Sequence, residues 1–189
     1  MFLLMLKKCF VLWTLSFQYF SLRYHKKDDI FNVRCHLLYY QYLIKSGKEN
    51  FVNKVDSSIH VLNKQNVFVG KNVTIKPGVV LDASNGPIII LDDAFIFPNA
   101  VIEGPCFIGK ATKIKSGATI YENTTIGNVC KVGGEVEQSI FMDYSNKQHS
   151  GFIGHSYIGS WVNLGADTNN SDLKNNYSKI KIKLSNKEV

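Results

Sequence analysis

From Ile90 to Val132 every sixth residue is a branched aliphatic: Ile90, Ile96, Ile102, Ile108, Ile114, Ile120, Ile126 and Val132. A helix repeats about every 3.6 residues and a half-buried strand about every 2, so neither yields an unbroken period of six. A hexapeptide period belongs to a parallel β-helix, in which short flat strands stack coil on coil. A second column, at the fifth position of each hexad, holds small side chains: Ala94, Ala100, Cys106, Thr112, Ala118, Thr124, Cys130 and Val136. Short side chains suit the corners of a narrow prism already filled by stacked aliphatics. The pattern predicts an all-β fold, a parallel β-helix of hexapeptide repeats with an N-terminal helical segment.

Val69, Ile75 and Leu81 enter the ladder in phase, and the interval to Ile90 is then nine residues. The extra three fall around Asn85-Gly86-Pro87, which is turn chemistry, so a bulge at a corner is expected. Beyond Val132 the regular pattern stops. Gly133-Gly134-Glu135 and residues 138–150 read as a polar excursion, and the repeat resumes at Phe152-Ile153-Gly154, Ile158-Gly159 and Leu164-Gly165-Ala166. Ile180, Ile182 and Leu184 alternate with lysines, as in a strand with one wet face. Upstream, Ile30, Val33, Leu37, Tyr40 and Ile44 predict a helix over 29–46. The apolar run from Cys9 to Leu22 is too short to span a bilayer and carries no small-residue cleavage site, so no stable membrane span is expected. The organisation predicted is an apolar segment 1–28, a linker helix and connector 29–66, a β-helix 67–184 and a tail 185–189. A solenoid needs closed ends. The helix would cap one of them and no cap is legible after the last strand, so the chain reads as truncated.

Composition changes this picture little. A formal charge of +7 suits an anionic partner. The basic residues are spread over both ends, without the aromatic interleaving of RNA-binding sheets, so no nucleic-acid partner is expected. Cysteines 9, 35, 106 and 130 have no metal or redox spacing. Cys106 and Cys130 lie in the small inward column, which reads as a reduced, cytoplasmic protein.

A filled prism is chemically inert, so function must leave from its corners. The excursion carries Asn146, Lys147 and His149, and histidine is the side chain suited to general-base work near neutral pH. The run from Gly133 through Tyr144-Ser145-Asn146-Lys147-Gln148-His149 and Phe152-Ile153-Gly154 to Val162-Asn163-Leu164-Gly165-Ala166 and Asn176-Tyr177 is long and specific. It resembles the acyltransferase half of the bifunctional sugar-1-phosphate nucleotidyltransferase/acetyltransferase family, and relatives described as sugar nucleotidyltransferases, over residues 29–184.

The resemblance implies a left-handed β-helix that forms a homotrimer with active sites between prisms. It also implies acetyl transfer from acetyl-CoA, as co-substrate, to the amine of an amino-sugar phosphate, with no metal in the site. His149 fills the place of the base that takes the amine proton. Lys115 falls where a cation holds the sugar phosphate. Asn146, Lys147, Phe152, Asn163, Asn176, Tyr177 and Lys179 fall in substrate-binding positions, and Ala166 where the acetyl-CoA is bound. The chain departs from the family in having Phe152 for an aromatic hydroxyl, Gly133-Gly134 for a second lysine and Asp167 for a glycine. The nucleotidyltransferase signature and the later coils of the acetyl-CoA pocket are missing. Two alternatives stand beside this reading: a non-catalytic trimerisation scaffold, and a γ-class carbonic anhydrase, whose zinc needs three histidines where only His149 and His155 lie close and His60 precedes the regular coils.

Overall fold

The computed structural model describes residues 57–170, Asn176 and the backbone of the strands Lys183–Leu184 and Lys187–Glu188. The segment 1–28, the expected helix over 29–46, Tyr177 and Lys179 lie outside the described residues.

Three parallel sheets run side by side as the faces of a β-solenoid of about six turns. Sheet A contains His60–Leu62, Val80–Asp82, Val101–Glu103, Thr119–Ile120, Glu135–Glu137 and Phe152–Gly154. Sheet B contains Val67–Val69, Ile88–Ile90, Cys106–Ile108, Thr124–Ile126, Ile140–Phe141 and Tyr157–Ile158. Sheet C contains Thr74–Ile75, Phe95–Ile96, Lys113–Ile114, Lys131–Val132 and Asn146–Lys147. Each strand has only two or three residues, so a hexad is one face plus one corner, and the recurring aliphatic is the side chain turned inward. All eight ladder residues from Ile90 to Val132 are fully buried, and the small column from Ala94 to Val136 is buried with them.

Register explains where the period held and where it broke. Partners stand 21 residues apart across the bulge, as in Val67 with Ile88, and 18 apart in the regular coils, as in Ile88 with Cys106. The insertion therefore bulges between sheets A and B without disturbing the stack. The pairing begins earlier than the ladder did, with His60–Leu62 against Val80–Asp82 inside the expected connector.

Residues 138–150 are not an excursion. Spacing contracts to 15 residues, Lys131 with Asn146, then becomes 17, Glu135 with Phe152, and the columns continue. Phe141 sits over Ile126 and Lys147 over Val132, so the columns are filled by side chains that an aliphatic pattern does not register.

At the last strand of sheet A, side chains replace a further coil. Asn169 Oδ1 accepts from Phe152 N–H at 2.7 Å and Asn170 Oδ1 accepts from Gly154 N–H at 2.8 Å. The edge donors are thereby satisfied. The expected tail contains a strand of its own, Lys187–Glu188, antiparallel to Lys183–Leu184. No helix among the described residues is long and apolar enough to cross a membrane.

The outer face of sheet A is acidic. Asp82 and Glu103 stand in register, and desolvation, with Glu122 and Asp82 nearby, pushes the Glu103 carboxyl above its ordinary range. A raised carboxyl binds its proton more tightly when folded, so stability falls as pH rises from the unfolded to the folded pKa. Glu103→Gln is expected to stabilise the chain at pH 7 by about 0.2–1 kcal/mol, a gain that vanishes below about pH 4. Thermal unfolding at the two pH values checks this.

Candidate active site

The edge where sheet C turns into sheet A is irregular. Inward residues on either side of this corner stand six apart at Ile114 and Ile120, four apart at Val132 and Val136, and six again at Lys147 and Ile153. The turn carrying His149 therefore overhangs a corner two residues shorter than itself. His149 and Ser150 are exposed there.

Gly133 and Gly134 form the short corner, and both need to be glycine. A Cβ on Gly133 would lie 2.6 Å from the Gln148 carbonyl oxygen and 3.1 Å from Lys115 Cβ. Lys115 starts the same corner two coils below the turn of His149, and its side chain runs toward the coil beneath it. Its ammonium lies 4.7 Å from the Phe97 ring centroid, and Lys76 lies 5.4 Å from that of Phe95. Both are cation–π distances, so these lysines rest on an aromatic floor.

On the outer face of sheet C, Lys113, Lys131 and Asn146 stack in register, and Asn146 pairs in turn with Asn163. With Lys76 and Lys115 they make this face basic. Across the edge, sheet A presents Asp82, Glu103, Glu135 and Glu137. The field across the edge therefore favours anions on the sheet C side.

Above His149, Ala166 is exposed at the next corner. Asp167, which follows it in a left-handed conformation, donates its N–H to the Ser150 carbonyl at 3.1 Å and accepts from the Ser150 hydroxyl. Phe152 opens the next strand with its ring across Gly154, where a Cβ would meet Phe152 Cζ at 2.7 Å.

Lys147 is fully buried in the inward column of sheet C. Its ammonium donates to the carbonyls of Gly133 at 2.9 Å, His149 at 3.2 Å and Gly151 at 2.6 Å. Burial pushes this ammonium below the ordinary lysine range, with Glu135 and Asp167 pulling it back. Cys130 is also buried, and desolvation raises its thiol above the usual range, which disfavours the nucleophilic thiolate.

One edge thus carries Asn146, His149 and Phe152 on one coil, Asn163 and Ala166 on the next, and Lys115 two coils below. Asn176 is exposed outside this group of strands. His155 turns a different corner, between sheets A and B, and His60 lies on the first strand of sheet A. Among the described residues no three His, Cys, Asp or Glu side chains converge as a metal site. Sequence reasoning missed the contact of Asp167 with the His149 turn and the edge-covering role of Asn169 and Asn170. The visible signal was polar side chains at the register position of a next coil.

No protein-family model matches the chain. Among curated proteins it is 34% identical over 130 residues to the bifunctional protein GlmU of Wigglesworthia glossinidia brevipalpis, a match covering 66% of this chain and 25% of the relative. It is 29% identical over 118 residues to GlmU of Buchnera aphidicola subsp. Baizongia pistaciae, covering 52% of this chain and 25% of the relative. Against GlmU of Janthinobacterium sp. (strain Marseille) it is 36% identical over 72 residues, covering 38% of this chain and 15% of the relative. The matches span a quarter or less of those proteins' length. Together with the parallel solenoid, these similarities support a relationship of the chain to the acetyltransferase half of GlmU-like proteins.

Proposed function

We propose that the edge between sheets C and A transfers acetyl from acetyl-CoA to the amine of an amino-sugar phosphate, with His149 as general base. The supporting observation is the convergence of Lys115, Asn146, His149, Asn163 and Ala166 on this one edge. An ammonium has no lone pair to attack with, so a base must first remove a proton. His149 accepts that proton at an imidazole nitrogen. The freed amine then attacks the thioester carbonyl, the carbon–sulfur bond breaks, and the proton that the nitrogen sheds in becoming an amide ends on the sulfur of the departing coenzyme A.

In this reading Lys115 holds the sugar phosphate on the basic side of the edge. Asn146 and Asn163 offer amide donors and acceptors to the sugar and acetyl groups. Ala166 leaves space for the acetyl-CoA, and Phe152 supplies an apolar wall without a hydroxyl. Asn176, Tyr177 and Lys179 complete the substrate contacts. The assembly is a cytoplasmic homotrimer of left-handed prisms with sites between neighbours.

Release of free coenzyme A, measured with a panel of amino sugars and their phosphates, tests the proposal. Release that requires an amino sugar supports it; release that ignores the sugar contradicts it. Lys115→Met is expected to raise KM for the phosphorylated sugar roughly 10- to 150-fold, the equivalent of about 1.5–3 kcal/mol for a hydrogen bond to a charged group. KM for the unphosphorylated sugar should not change.

A further inference from the structure

We propose that Lys147 is a positioning residue, whose ammonium staples the turn carrying His149 from inside the prism. The proposal rests on His149 being the general base. Every other paired residue in this column is apolar: Ile75, Ile96, Ile114 and Val132 stack beneath Lys147 in register. An aliphatic side chain would fill the same space, so packing alone does not call for a lysine. An unpaired ammonium at this depth would be strongly disfavoured.

The three carbonyls that receive it explain the choice. Gly133 belongs to the short corner, whereas His149 and Gly151 belong to the longer turn above it. A stacked coil normally satisfies each inward-tilted carbonyl with an N–H from the neighbouring coil. Two corners of unequal length cannot match group for group, and buried carbonyls without donors are costly. An ammonium offers three N–H donors, and Lys147 directs them to the carbonyls of Gly133 and His149 and to that of Gly151, which also accepts from the Glu135 N–H. Fully buried, Lys147 is turned away from any substrate outside the prism, so in place of the substrate contact expected of it, its effect on transfer runs through the turn.

The surrounding backbone is adapted to the ammonium. Gly134, at φ +67°, would place a Cβ 2.6 Å from the Gly151 carbonyl oxygen, 2.7 Å from Lys147 Nζ and 3.0 Å from the His149 carbonyl oxygen, so glycine is needed where the ammonium meets its acceptors. Gly151, at φ +110°, adopts a conformation that turns its carbonyl toward the ammonium. On the outer side the same turn is bound by Asp167, through the Ser150 carbonyl and hydroxyl. The backbone of His149 to Gly151 is thus gripped from within by Lys147 and from without by Asp167. A proton acceptor must sit within hydrogen-bond reach of the amine, and small misplacements lower rates steeply.

Lys147→Met matches the lysine side chain as far as Cε and fills the column but removes all three donors. The expected result is a folded protein whose kcat falls roughly 10- to 100-fold, with KM for sugar and acetyl-CoA unchanged. The Glu135 amide, which donates to Gly151 at 3.1 Å, is expected to exchange its hydrogen about tenfold faster, while Thr125 in sheet B keeps its protection. Unchanged kcat together with unchanged Glu135 exchange overturns the proposal, since that is what a space-filling role gives. If Lys147→Met does not fold, Lys147→Gln keeps a polar end in the column with two N–H donors in place of three, and smaller changes in the same direction are expected in both readouts. His149→Ala separates the two ideas. Loss of transfer in His149→Ala with full kcat in Lys147→Met removes the staple alone, and full transfer in His149→Ala removes the base. Should the chain transfer no acetyl group, the functional reading fails and Glu135 exchange still decides whether the ammonium holds the turn.

Discussion

His149→Ala is expected to lower acetyl transfer roughly 100- to 10,000-fold, the range over which a positioned general base contributes. The loss should appear in kcat and kcat/KM together, because proton removal matters in the transition state and not in binding. Stability should change by less than about 0.5 kcal/mol, since the imidazole is exposed on a corner and fills no space in the prism. Its carbonyl, which accepts from Lys147, belongs to the backbone and survives the substitution. Coenzyme A release and thermal unfolding of the same preparation measure the two quantities. Full turnover in a folded variant would remove His149 from the chemistry.

A large loss of stability is expected at a position remote from that edge. Ile120 is fully buried between Ile102 below and Val136 above. Truncation to alanine removes apolar surface and leaves a cavity that rigid neighbouring coils cannot close, at a cost of about 2–5 kcal/mol. In a solenoid each coil is supported chiefly by its two neighbours, so a defect in the middle weakens both halves of the stack. Thr119, one residue earlier on the outer face of the same strand, is the control, and Thr119→Ala should change stability by less than about 0.5 kcal/mol. Urea unfolding followed by circular dichroism compares the pair. Similar losses for both would mean that the strand does not turn Ile120 inward.

The fold was legible where each coil keeps three hexads, from Ile90 to Val132, because a strict period leaves one geometry that buries every repeated residue. It became illegible at Gly133, where a corner of two fewer residues shifts the phase. Phe141, Lys147 and Ile153 then follow at intervals of six, so the phase could have been recovered by counting any bulky side chain. Lysine was read as polar and hence as loop, a reasonable inference that fails where backbone carbonyls supply its partners. The candidate site was legible only in part. His149, Asn163 and Lys115 were chosen from family resemblance, whereas their common edge depends on coil lengths of 15 and 17 residues that no local pattern reveals. Asp167 was noted only as a departure from glycine, because its contact with Ser150 joins neighbouring coils. Asn169 and Asn170 drew no notice for the same reason, although their side chains complete the edge of sheet A.

Acetyl transfer by the purified chain is the most direct test of the central claim. Acetyl-CoA is incubated with an amino-sugar phosphate, and free coenzyme A and N-acetylated sugar are quantified together. The account predicts equimolar formation of both products, dependent on the amine and abolished in His149→Ala. Failure to acetylate any amino-sugar phosphate, by a chain that remains folded, would contradict it and leave the solenoid as a scaffold.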